Sequence, residues 1–410
     1  MKVLHLNYFD IKGGAARAAY RIHHALSDVG VDSTMWVNVA EAGDWTVEGP
    51  TSKWSKGVTW LRLQIGDLLG KALQTENSVI HSPAIFPSQW VKRLNQSDAD
   101  IVHLHWVNHE MLSIADIGRI EKPIVWTLHD MWPFCGAEHY TEDFRWREGY
   151  RRDNRPTYES GFDLNRWTWE RKRQLWQRQM HIVTPSHWLQ DSVRVSALMN
   201  DCPVDVISYA IDIKRWRPIE QNLARDLLGF PHDVPLLLFG AIGGGRDPRK
   251  GFDLLLSALG HLRGTIPDLE LVVFGQSAPR TPPDLGFPVH YTGHLHDDIS
   301  MQLHYNAADV FALPSRQDNL PLTCMEALSC GVPVVAFNAS GPPTMIMHQQ
   351  TGFLAKAFEV EDFAEGVRWV LQDSAKATLR KSARDYAEQF FNPAVVAQQY
   401  IDIYQKLLSE

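Results

Sequence analysis

Short apolar runs alternate with amphipathic stretches along the whole chain. MKVLHLN reads as a strand, and AARAAYRIHHALSDVG behind it as a helix closed by Gly30. ADIVHLHWV, PIVWTLHD and HIVTPS read as further strands, and SHWLQDSVRVSAL as a helix that Ser186 caps. The second half repeats the alternation, with PLLLFGA, LELVVFG, DVFALPS and PVVAF as strands and GFDLLLSALGHL, DISMQLHYNA and PLTCMEALSC as helices. Strand, helix, strand, helix is the signature of a parallel sheet with helices on both faces. One alternating series ends near DVISYAIDIKRWRP at 205–218, so the pattern predicts two doubly wound α/β domains facing each other across a cleft. In such sheets ligands sit beyond the carboxyl ends of the strands.

Length and composition agree with this division. The 410 residues exceed one ordinary domain, and 44% hydrophobic with 21% charged residues excludes disorder, collagen and coiled coil. A net charge of −8 argues against nucleic acid as a partner. Asp10 interrupts the N-terminal apolar stretch too early for a signal peptide, and no apolar run is long enough to span a bilayer, so a cytoplasmic protein is expected. Cys135, Cys202, Cys324 and Cys330 lack metal-ligand spacing and are expected as reduced thiols.

Two loops of the second half carry chemistry. IGGGRDPRKG follows a strand with three glycines and then Arg246, Arg249 and Lys250, which permits close backbone approach and neutralisation of phosphates. Its spacing is neither that of a P-loop nor that of a dinucleotide fingerprint, and a solvated basic turn is the plain alternative. In DNLPLTCMEALSCG, Glu326 is the one ionisable acid or base, histidine aside, between Asp318 and Lys356. Such a carboxylate needs a partner, since burying it unpaired costs several kcal/mol. The helix here starts at Pro321, ends at Gly331 and offers its N-terminal amides to an anion in front of Asn319 to Leu322. Asp318 and Glu326 are then placed to accept hydroxyls of a sugar and a ribose. The alternative is a capping Asp318 and a Glu326 satisfied by backbone amides.

The same stretch resembles the Glu-x7-Glu signature of retaining glycosyltransferases of family 4, which have the GT-B fold, and in particular those of bacterial exopolysaccharide and colanic-acid type. GGAARAA, WTLHDMWPFCG, PSHWL, RKGFDLLLSAL and ADVFALPS extend the resemblance over essentially the whole chain. It implies an N-terminal acceptor domain over 1–206, a donor domain over 207–390 and a C-terminal helix over 391–410 that crosses back to the first domain. It implies a metal-independent, cofactor-free transfer of a hexose from a nucleoside-diphosphate sugar to a glycan or lipid-linked acceptor. Arg246 or Arg249 with Lys250 would bind the diphosphate, Glu326 the ribose, and Asp318 with the backbone of Asn319 and Leu320 the transferred sugar. Gly14 would approach the phosphates or the acceptor, and His129, followed by Asp130, the transferred sugar. The chain departs from the pattern in having Asp318 for the first glutamate and Gly245 where the family's arginine usually stands.

From Arg145 to Arg178 ten Arg or Lys are interleaved with Trp146, Trp167, Trp169 and Trp176. This segment can meet a bilayer, making the protein peripheral at the inner membrane face, stack on acceptor sugars, or pack its indoles inward. His103 and His105 share one face of a strand, but two further metal ligands are not evident. Asp98 and Asp100 form a D-x-D at the opening edge of that strand, the wrong edge for ligands, so no catalytic metal is expected. A catalytically silent sugar-nucleotide-binding module and another GT-B enzyme, such as an epimerase, are the rival readings.

Overall fold

The computed structural model describes residues 1–240, 247–282 and 284–410. It divides into two units, Met1–Ala210 with Val396–Glu410, and Ile211–Val395.

The first unit holds a seven-stranded parallel sheet in the order Val47–Glu48, Asp32–Val39, Lys2–Phe9, Ile101–Leu104, Ile124–Thr127, His181–Thr184, Val204–Val206. Four residues of every central strand are buried, so both sheet faces are covered, as parallel sheets require. Helix Gly14–Asp28 turns Ala16, Ala18, Ala19, Ile22 and Leu26 inward, and its alanines let it lie close. The strand order reverses between Lys2–Phe9 and Ile101–Leu104, which makes the loops after these strands the topological switch point.

The second unit holds a six-stranded parallel sheet ordered Val289–Gly293, Glu270–Phe274, Leu236–Gly240, Val310–Leu313, Val334–Phe337, Gly352–Ala355. Its switch point lies between Leu236–Gly240 and Val310–Leu313. Gly240 is the last residue of the first of these, and a Cβ there would stand 2.0 Å from the Phe274 ring.

Helix Pro393–Ser409 enters the first unit from Val396. The hydroxyl of Tyr400 meets Thr127 Oγ1 at 2.9 Å, and that of Tyr404 meets His103 Nδ1 at 2.7 Å, both deep in the unit. Helix Lys53–Gly70 has no counterpart among the elements read from the sequence.

Candidate functional site

In the second unit the chain leaves the Leu236–Gly240 strand and is described again from Asp247, so Arg246 lies outside the described residues. Asp247 accepts the amide of Arg249 at 3.1 Å and opens the single turn Pro248–Lys250. Gly251 closes that turn at φ 65, where a Cβ would sit 1.9 Å from the carbonyl of Pro314. Only glycine lets the basic turn press against the loop beyond Val310–Leu313. The Arg249 carbonyl in turn accepts the amide of Arg316 at 2.7 Å.

This packing brings together side chains 68 residues apart: Lys250 Nζ donates to Asp318 at 2.5 Å. Asp318 is mostly covered while the lysine remains 40% exposed, so the pair lies at the rim and is reachable by a ligand. Asp318 does not cap the following helix. Its amide donates to Ser340 Oγ at 3.1 Å and its carbonyl accepts Gly341 at 2.9 Å, which clasps the 318–319 segment to the loop after Val334–Phe337. A Cβ at Gly341 would stand 1.4 Å from the Asn319 carbonyl.

Helix Leu322–Ser329 has Pro321 as its N-cap, no side-chain cap and no acid in its first turn. Its positive end is thus left for an anion or water. Asn319 and Leu320 have buried side chains. Glu326 is buried, and the Tyr305 hydroxyl donates to it at 3.3 Å. Burial, and then the charge of Glu326, push the Tyr305 phenol and the Cys330 thiol far above their usual pKa values. Arg249, expected on phosphate, forks its guanidinium onto Asp247, with contacts of 3.1 and 2.8 Å. An acid two residues before an arginine on a tight turn was the signal for that pairing.

In the first unit, Gly13 at φ 90 precedes Gly14, the first residue of helix Gly14–Asp28. Among the described residues, a Cβ on either would meet nothing within 4 Å. His129 follows the Ile124–Thr127 strand and is buried. Its Nδ1 bonds the Tyr209 hydroxyl at 2.7 Å and its Nε2 meets His105 Nδ1 at 3.2 Å. The chain of rings continues from His105 Nε2 to His5 Nδ1 at 2.9 Å. Burial lowers the pKa of His129 to about 4, so the ring is neutral at physiological pH and a poor proton acceptor. Asp130 faces away from this chain, toward His139 at 2.6 Å, Trp106 at 2.9 Å and the Trp132 amide at 3.0 Å.

His5 is a partner that the sequence did not reveal; it pairs in register with His103 across adjacent strands. His5, His103 and His105 bring their ring nitrogens within 4.8 Å of one another. The three rings are mutually tilted by 18 to 38°. Both nitrogens of His103 are engaged, by Tyr404 and by Thr127. Asp98 and Asp100 are both bound to Lys2, at the opening edge of the sheet.

The Arg- and Trp-rich segment does not offer its indoles to a surface. Trp146 and Trp169 are buried, Trp167 and Trp176 half-buried, and Trp176 donates to the Ile114 carbonyl at 2.9 Å. Arg145 is buried between Glu159 and Asp143, and Lys172 donates to three carbonyls, those of Trp132, Cys135 and Gly136. The large apolar core around Trp126 and Trp132 draws the indoles inward, which favours the third of the three readings of this segment.

Residues 12–215 match the family model Glycosyltransferase Family 4, and residues 236–373 the model Glycosyl transferases group 1. The D-inositol 3-phosphate glycosyltransferase of Saccharomonospora viridis is 32% identical over 208 residues, covering 46% of this chain and 46% of that protein. The GDP-mannose-dependent alpha-(1-6)-phosphatidylinositol monomannoside mannosyltransferase of Mycolicibacterium smegmatis is 33% identical over 144 residues, 32% of this chain and 37% of that protein. The chain thus spans half or less of the length of these relatives. Among solved structures, sucrose-phosphate synthase from Thermosynechococcus elongatus aligns with a TM-score of 0.67 at 16% identity over 100% of this chain and 99% of that one. Anabaena HepE in complex with UDP and glucose aligns with a TM-score of 0.64 at 17% identity over 99% and 100%. The chain therefore has the two-domain α/β fold of GT-B glycosyltransferases, and each of its halves matches a glycosyltransferase family model.

Proposed function

We propose that this protein is a retaining, metal-independent hexosyltransferase that moves a sugar from a nucleoside diphosphate to a glycan or lipid-linked acceptor in surface-polysaccharide assembly. The observation that carries the reading is the Lys250–Asp318 pair, 2.5 Å apart at the switch point of the second sheet and beside an uncapped helix N-terminus. Cation and helix amides meet the charge that develops on a leaving diphosphate, and Asp318 accepts hydroxyls of the sugar. Glu326 holds the ribose, the backbone of Asn319 and Leu320 lines the sugar, and Gly14 leaves room for phosphate or acceptor. His129 is a neutral imidazole fixed from both nitrogens, so it orients the sugar rather than taking its proton. No cofactor beyond the donor is required. HepE, bound to UDP, and relatives named for GDP-mannose support a nucleotide-sugar donor.

Among the described residues no helix is long and apolar enough to cross a membrane. The proposed location is the cytoplasm. Relatives named for inositol phosphate and phosphatidylinositol mannoside add such acceptors to those worth screening.

A thermal-shift screen of UDP-, GDP- and ADP-sugars, followed by product analysis, tests the reading, because a true donor stabilises by mass action. Stabilisation by one nucleotide class together with transfer is expected. Stabilisation without turnover or donor hydrolysis replaces the reading with a silent binding module, for which the aspartate at 318 in place of the family's glutamate speaks. No response to any nucleotide removes both.

A further inference from the structure

Helix Lys53–Gly70 is amphipathic the wrong way round. Of its 18 residues only Gly66 is buried, held against the Glu110 side chain, where a Cβ would come within 2.7 Å. The second anchor is Arg62, whose guanidinium donates to the carbonyls of Phe86, Pro87 and Glu110 at 2.6 to 3.0 Å. The side facing the protein is thus fastened by a cation and a glycine. Leu63, Ile65 and Leu69 are half-buried, and the other large apolar residues point outward.

Trp54 is 81% exposed, Leu61 51% and Leu68 67%, with Val58 between them. They recur at i, i+4, i+7 and i+14, one stripe about 21 Å long at the α-helical rise. Trp60, 62% exposed, flanks the stripe. Lys53, Lys56 and Lys71 are exposed near its two ends, against one exposed acid, Asp67. Past the helix, Phe162 donates its amide to the Ala72 carbonyl at 3.3 Å and is itself 52% exposed, so the apolar surface continues onto the next segment.

We propose that this helix is the face by which the first unit lies on an anionic bilayer, its indoles and leucines in the headgroup region and its lysines on the lipid charge. An exposed apolar stripe suits the headgroup region, and lysines at both ends suit a negative surface. A soluble protein with an acidic rim, or a second copy of the chain, is an outcome of the test below. The inference stands on exposure and charge and is independent of which sugar is transferred.

The test is co-sedimentation of the full chain with vesicles of phosphatidylcholine alone and with a minority of phosphatidylglycerol, at low and high salt, with chromatographic size measured alongside. The chain is expected to bind the anionic vesicles, more weakly at high salt. Replacing Trp54, Leu61 and Leu68 together by Ser should lower partitioning about tenfold or more, with an unchanged melting temperature because all three are exposed. Replacing Lys53, Lys56 and Lys71 by Glu should abolish the preference for anionic over neutral vesicles. The proposal is overturned if the wild-type chain ignores both vesicle types or if the triple Ser variant binds as well as wild type. It also falls if the apolar stripe proves to hold a dimer that the Ser variant splits while vesicle binding is absent.

Discussion

Acid should unfold the first unit at a pH where ordinary domains of this size remain intact. His5, His23, His103, His105 and His129 are buried in it. Burial lowers His23 and His129 to about 4, and burial with neighbouring imidazoles carries His5 and His105 well below their usual value, as burial and His129 do for His103. The unfolded chain titrates these groups near 6.5, so it binds more protons than the folded one. Their contribution is therefore intact above about pH 6.5 and shrinks as pH falls toward 4. At about pH 5.5 each neutral ring costs on the order of 1 kcal/mol, so the group as a whole removes a sizeable part of the stability of a domain. Glu110 and Glu138, whose carboxyls burial raises, take up protons in the folded state and offset part of this. Melting followed by tryptophan fluorescence and circular dichroism between about pH 7.5 and 5.5 reads the effect. His103→Gln should remove about one proton from the slope. A melting temperature of the first unit that stays level across that range would falsify the burial argument.

Three further outcomes are expected. Lys250→Ala should lower transfer by about 10² to 10³ without changing stability, because the side chain is at the rim; near-normal rates in a product assay would remove it from the donor site. Gly341→Ala adds no charge, yet its Cβ would meet the Asn319 carbonyl at 1.4 Å; nucleotide affinity by calorimetry should fall as the 318–319 segment shifts, and an unaltered affinity would show that this segment does not hold the donor. Tyr404→Phe deletes the hydroxyl on His103 Nδ1, leaving a buried nitrogen without its partner, and should cost about 1–3 kcal/mol in denaturant unfolding of the first unit. A cost near zero would mean that the last helix adds little to that unit.

The alternation of apolar runs and amphipathic stretches made both sheets legible, because buried parallel strands such as LLLFG and VFAL declare themselves by composition. Asp32–Val39 escaped because DSTMWVNV mixes polar residues into a strand, and Val204–Val206 because three residues carry too little pattern. Lys250 and Asp318 were nameable from motif and family resemblance, but their contact is a product of Gly251 and Gly341, whose requirement for no side chain appears only in three dimensions. The pairing of Arg249 with Asp247 is local by contrast, two residues apart on one turn. The His5–His105–His129 chain needed the strand register, which no spacing within a single strand reports. In the Arg- and Trp-rich segment composition was right about the residues and silent about their direction. Indoles near a core of Trp126 and Trp132 turn inward, whereas those of Lys53–Gly70, fastened by Arg62, turn out.

The return of residues 396–409 to the first unit has a consequence for synthesis. His103 and Thr127 stay without their tyrosine partners throughout translation of the entire second unit, which can close around its own sheet beforehand. The half made first is then the half completed last, and a ribosome paused anywhere before Val396 holds an unsealed sheet that chaperones and proteases can reach.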